Sequence, residues 1–196
     1  MQSFIDHART FRSRAAQDGH TLGRLAEGQS PQALFITCSD SRIIPSAVTG
    51  AKPGDLFEMR TAGNIVPPHR PSAPSAEAAT IEYAVEVLGV ADIVVCGHSH
   101  CGAVGAVVRG EDLTGVPAVR DWLADGTALS TDGEASHDLA TPVQRHVLDQ
   151  LEKLHTHPSV ARRVREGRLG LHGWFYEVHT GAVLTHRPDT DVFLPL

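Results

Sequence analysis

Cys38-Ser39-Asp40-Ser41-Arg42 follows directly on the apolar run Ala33-Leu34-Phe35-Ile36-Thr37, and the reading of this junction decides the fold. An apolar run of that length without polar alternation predicts a fully buried strand of a parallel sheet. A thiol, a carboxylate and a guanidinium therefore emerge together where a strand ends, the side of an open parallel sheet on which ligands and chemistry collect. A second stretch repeats the pattern: Ala91-Asp92-Ile93-Val94-Val95-Cys96 reads as a strand, and Gly97-His98-Ser99-His100-Cys101-Gly102 breaks out of it. If the two strands are neighbours, Cys38, His98 and Cys101 converge at one sheet edge, and two thiolates with an imidazole suit zinc. On spacing alone the competing reading has equal weight: three ordinary buried cysteines, a residue type that favours the interior.

Composition narrows the class. The 196 residues, 41% hydrophobic and 20% charged, suit one domain, residues 1–196, with residues 1–27 as an N-terminal helical arm. A net charge of -6, with no basic patch and no interleaved aromatics, argues against nucleic acid as a partner. Three cysteines are an odd number and form no disulfide framework. Met1 to Ala16 has no continuous apolar segment of the kind a signal peptide carries, and no run approaches the roughly 20 residues that span a bilayer. The expectation is a cytoplasmic protein without membrane contact.

Along the chain, strands and helices alternate. Residues 3–26 read as helix with a break at Gly19, and because this segment precedes the first strand, nothing obliges it to cover its own sheet. Pro45, Pro53 and Gly54 punctuate a short helix or loop, and Asp55 to Thr61 reads as the second strand. Pro67, Pro68, Pro71 and Pro74 exclude helix and central strand from residues 66–76. Ser75 is placed to cap a helix over Glu77 to Leu88 that Gly89 stops. Further helices are expected over residues 101–109, near Trp122 and over residues 142–165. Residues 169–178 and 182–187, joined at Thr180-Gly181, read as a hairpin. The class is three-layer α/β: a mostly parallel four-stranded sheet with an antiparallel C-terminal edge strand.

Within the two motifs the residues separate by position. Cys96 lies inside its apolar strand and reads as core. His100 adjoins Cys101, and adjacent side chains rarely aim at one metal, so it is set aside as a ligand. Asp40 and Arg42, two apart on extended backbone, fall on one side and can pair, either as a dyad beside the metal or as a structural ion pair closing the strand end.

Taken together, Cys38-Ser39-Asp40-Ser41-Arg42 and His98-Ser99-His100-Cys101-Gly102 resemble the two-part signature of the β-class carbonic anhydrases, and the likeness extends over nearly the whole chain. The resemblance implies one zinc ion on Cys38, His98 and Cys101, with Asp40 and Arg42 as the dyad beside an open fourth position. It also implies that Gln29, Phe57, Tyr83 and Gly102 line the substrate pocket. Phe35, where the allosteric group of the family carries tryptophan, points to the plant-type, non-allosteric subgroup with water as fourth ligand; closure by Asp40 itself at lower pH is the alternative. Thr61, where relatives usually have asparagine, and Ile44-Pro45-Ser46 depart from the pattern.

The activity so implied is reversible hydration of CO₂ to bicarbonate and a proton by zinc-bound hydroxide. Two thiolates cancel the formal charge of Zn²⁺, so activity is expected to rise with pH through the neutral to alkaline range. The resemblance further implies a homodimer or higher homo-oligomer, with N-terminal helices packed on the partner. Hydrolysis of carbonyl sulfide or carbon disulfide on the same scaffold, and a non-catalytic zinc or thiol module, are the competing functions.

Overall fold

The computed structural model describes residues 1–17, 22–129 and 139–196, so the expected break at Gly19 and much of the segment after Thr127 lie outside the described residues. The chain divides into two units, Met1–Ser30 and Pro31–Leu196. The first holds α1 (Gln2–Gln17) and α2 (Leu22–Leu25).

In the second unit the apolar runs become the strands they predict. They are β1 (Ala33–Cys38), β2 (Leu56–Thr61), β3 (Asp92–His98), β4 (Gly170–Tyr176), β5 (Val183–Arg187) and β6 (Val192–Pro195), arranged in one sheet of order β2-β1-β3-β4-β5-β6. β1 pairs in parallel with both β2 and β3, and β3 with β4; β5 runs antiparallel to β4. The sheet thus has the four parallel strands and the hairpin expected. It differs at its last edge, where β6 pairs antiparallel with β5 and takes the edge position assigned to β5 from sequence. A four-residue strand containing Pro195 carries too little alternation to be read from sequence. The tight turn before it, with Asp191 at φ 54 and its N–H bonded to Arg187 O, brings it back onto β5.

Among the described residues six helices accompany the sheet: α3 (Pro45–Thr49), α4 (Ala76–Glu82), α5 (Gly102–Val108), α6 (Pro117–Gly126), α7 (Ala140–Leu154) and α8 (Pro158–Arg165). Ser75 caps α4 as expected, its hydroxyl accepting from Ala78 N at 3.1 Å. That helix widens over Tyr83–Leu88 into a π turn before Gly89 ends it at φ 67. One face of the sheet, Leu34, Ile36, Ile93 and Val95, packs on Ile81 and Val85, on Val147 and Leu154 of α7 and on Val160 of α8. The other face carries Phe35, Val94 and Cys96 against Ile43, with Trp174 edge-on to Phe35 at 5.9 Å. Gly97 lets α7 lie close on β3: a Cβ there would sit 2.7 Å from methyl carbons of both Val143 and Val147.

Candidate metal centre

The neighbouring of β1 and β3 meets the condition set by the sequence. Thr37 lies opposite Cys96 in parallel register, so Cys38 and His98 leave the sheet side by side. Cys101 follows as the residue before α5. His100, between the ligand candidates, takes φ 58, the left-handed turn that reverses the chain from β3 into α5. The candidate ligand atoms of Cys38, His98 and Cys101 lie within 4.8 Å of one another. Zinc–ligand bonds of 2.0–2.3 Å put tetrahedral ligands roughly 3.5–3.8 Å apart, so a small contraction closes the group on an ion.

The side-chain chemistry fits a cation. His98 is fully buried, and its Nδ1 is 2.9 Å from Ser99 O. A carbonyl only accepts, so Nδ1 carries the proton and Nε2 presents a lone pair. That Nε2 is buried with no hydrogen-bond partner. Orphaned nitrogens of this kind are costly unless something binds them. The sulfurs are prepared as well. Cys38 is lowered to about 4, first by the hydrogen bond from the Cys101 thiol and then, against burial, by the N–H groups of Gly63 and Asp40. Cys101 is pushed up in exchange by that same hydrogen bond and by burial. One proton is thus shared between the two sulfurs, and a divalent cation would displace it. Cys96 is different: burial alone pushes its thiol up to about 12, and it belongs to the core, as expected.

Asp40 stands beside this group, its Oδ2 3.9 Å from His98 Nε2. Arg42 grips both carboxylate oxygens, with Nε to Oδ1 at 2.9 Å and Nη2 to Oδ2 at 2.6 Å, and its backbone N–H adds a third bond to Oδ1 at 2.9 Å. These bonds hold the carboxyl well below the usual carboxylate range. Arg42 Nη2 also donates to His100 O at 3.0 Å, tying the first motif to the second.

Arg60 is a residue the sequence reading passed over. Its guanidinium donates to the carbonyls of Cys38, Asp40 and Ile43 at 2.8–3.1 Å and so wraps the loop that follows β1. A lone arginine at a strand end gives no signal of that role. The two departures from the family pattern find local uses: Thr61 Oγ1 donates to Ile65 O at 3.0 Å and closes the turn after β2, and Pro45 opens α3 at a position needing no N–H.

Two of the other candidates, Phe57 and Tyr83, lie apart from this cluster. Phe57 and Tyr83 meet each other, ring centroids 6.0 Å apart. Phe57 pairs with Leu34, four residues before Cys38 on β1, or roughly 13 Å along the strand. Gly102 begins α5 with open space where a Cβ would project. Gln29 belongs to the first unit. A cavity of about 480 Å³ lined by Ala33, Leu56, Asp92 and His172 lies at the opposite ends of the strands from the cysteines.

Comparison with known proteins gives concordant matches. Residues 33–183 match the family model described as Carbonic anhydrase. A carbonic anhydrase of Pseudomonas aeruginosa is 48% identical over 166 residues, covering 81% of this chain and 74% of that protein. Carbonic anhydrase 1 of Escherichia coli O157:H7 is 43% identical over 203 residues, covering 100% and 92%. Among solved structures, the β-carbonic anhydrase CcaA superposes with a TM-score of 0.90 at 35% identity, covering 100% of this chain and 99% of that one. One of two tetrameric β-carbonic anhydrases from Sordaria macrospora gives 0.80 at 30% identity over 94% of each chain.

Proposed function

The chain belongs to the β-class carbonic anhydrases, and from that membership we propose that it holds one zinc ion on Cys38, His98 and Cys101 and hydrates CO₂ reversibly to bicarbonate and a proton. The observation that carries this reading is the unpartnered, buried Nε2 of His98 in a group whose candidate ligand atoms, one each from Cys38, His98 and Cys101, lie within 4.8 Å of one another. When bound, zinc supplies the Lewis acidity that makes a hydroxide nucleophile available near neutral pH.

The protein's own groups supply direction and exclusion. Asp40, kept ionised by Arg42, is acceptor-only, so it would accept a hydrogen bond from the attacking oxygen and turn a lone pair of that oxygen toward the substrate carbon. CO₂ offers little to grip. Gln29 donates to one of its oxygens, while Phe57, Tyr83 and Gly102 wall the pocket. Phe57 pairs with Leu34, at the far end of β1 from Cys38, and Tyr83 packs beside it; in this reading the two serve the pocket of a second copy.

The plant-type arrangement, with the fourth position open to water, belongs to this reading. So does a single domain whose arm, α1 and α2, packs on the partner of a cytoplasmic homodimer or higher homo-oligomer. Among the described residues no helix is long and apolar enough to cross a membrane.

The deciding experiment is metal analysis with stopped-flow CO₂ hydration on the purified protein. One zinc per chain is expected, with activity abolished by a chelator and restored by zinc. A metal-free preparation that hydrates CO₂, or a zinc-loaded one that hydrolyses only carbonyl sulfide or carbon disulfide, overturns the reading. Size-exclusion chromatography giving monomer alone at micromolar concentration overturns the assembly.

A further inference from the structure

We propose that Trp122 and His146 are positioning residues that aim the backbone N–H of Gly63 at the Cys38 sulfur and thereby set how tightly the metal is held. The inference rests on the reading of Cys38 as a metal ligand.

The turn after β2, Ala62–Asn64, is bonded to Cys38: Gly63 N donates to Cys38 Sγ at 3.3 Å. Gly63 has φ 76 and ψ 20, a conformation natural to glycine, and this twist brings its N–H round to the sulfur. A peptide unit so placed needs both of its flanking carbonyls held, and both are. The carbonyl of the same amide plane, Ala62 O, accepts from Trp122 Nε1 of α6 at 2.9 Å. The next carbonyl, Gly63 O, lies 2.8 Å from His146 Nε2 of α7.

A carbonyl only accepts, so His146 carries its proton on Nε2 and leaves Nδ1 as an acceptor facing Gln150 Nε2 at 3.4 Å. Gln150 in turn takes Val66 N at 2.8 Å and donates to Gly126 O at 3.3 Å, stitching α7 to the segment after the turn and to the end of α6. His146 and Gln150 are both fully buried, so this chain of donors is shielded from competing water.

The physical consequence follows from the amide plane. A donor on Ala62 O polarises the peptide and strengthens the N–H on its other side, as hydrogen bonds in series do. A hydrogen bond to a charged sulfur is of the stronger, charge-assisted kind. It fixes the Cys38 rotamer and offsets part of the negative charge that two adjacent sulfurs must carry. Groups that orient a metal ligand from outside typically change metal affinity about 10–100-fold when removed.

The test is zinc affinity of the full chain, by competition with a chromogenic chelator, together with the sulfur-to-metal charge-transfer band of the cobalt-substituted protein. His146→Leu removes the donor and Trp122→Phe removes the other. His146→Gln keeps an N–H at similar reach, and Val160→Ala loosens the same buried core from α8, away from the turn. His146→Leu is expected to weaken zinc binding about tenfold and Trp122→Phe several-fold, with the cobalt band displaced in both. His146→Gln and Val160→Ala should stay within about twofold with the band unmoved. Trp122→Phe decides the matter if His146→Leu does not fold. Parent-like affinity in the donor-deleting variants overturns the proposal, as does an equal loss in Val160→Ala or in His146→Gln. A parent protein that binds no zinc overturns the metal reading itself, and the proposal with it.

Discussion

At Asp40, both oxygens are held by the guanidinium of Arg42, at 2.9 and 2.6 Å, and this grip does two separable things. It lowers the carboxyl's affinity for a proton, and it fixes the direction of the carboxylate. An aspartate freed of its arginine returns toward a pKa of about 4 and is still ionised at neutral pH. Arg42→Ala therefore loses direction but not charge near pH 7, and the loss deepens as pH falls toward about 4 and the carboxyl takes up a proton. Asp40→Asn loses the acceptor at every pH. We expect kcat/KM to fall about 100-fold or more in Asp40→Asn and about tenfold in Arg42→Ala at neutral pH, the usual range for a positioned proton-handling group. Zinc content should be unchanged in both. Stopped-flow hydration as a function of pH checks this, and full activity in either variant removes the dyad from the mechanism.

At the scale of elements, the site depends on how closely α7 lies on the end of β3. Gly97 sits one residue before His98, and a Cβ there would press within 2.7 Å of Val143 and Val147. Gly97→Ala must push the helix away from the strand, and overpacking of this kind costs about 1–3 kcal/mol. Urea denaturation should show that loss with an unchanged m-value, and metal affinity should fall with it because α7 also carries His146. The glycine was visible in the sequence only as the start of a loop. Its use as a packing surface depends on a helix that begins only at Ala140. The missed strand β6 has the same kind of cause, since a four-residue edge strand owes its existence to β5 and not to its own pattern. The π turn at Tyr83–Leu88 likewise leaves the apolar spacing of its helix intact and so gives no sign in the sequence.

For the molecule as a whole, two buried histidines link stability to pH. Burial pushes both His146 and His157 down, against the bonds each makes to a backbone carbonyl, Gly63 O and Pro67 O. In the unfolded chain both titrate near 6.5. Above that value neither state binds the proton, and the folded state keeps its full stability. As pH falls through about 6.5 the unfolded state protonates first, so stability drops until the lowered folded values are reached. The thermal midpoint of the metal-free protein should therefore fall between about pH 7 and pH 5. His146→Gln, which keeps the donor and removes the titration, should show a shallower fall; an identical slope rules His146 out as a contributor.

Five of the six strands, the parallel class and the candidate ligands were legible in the order of residues alone. A buried strand needs an unbroken apolar run, and a thiol or imidazole placed just past such a run can only lie at the sheet's edge. The order of residues also marked Cys96 as core, because that residue falls inside its run. What surrounds the ligands came from the docking of elements in three dimensions. The adjacency of β1 and β3, the freeing of His98 Nε2 by the bond at its other nitrogen, the wrap of Arg60 and the hold of Trp122 and His146 on one turn all join residues distant along the chain. Such contacts have no period or spacing to betray them, since they are fixed by how the elements dock and not by the order in which their residues occur.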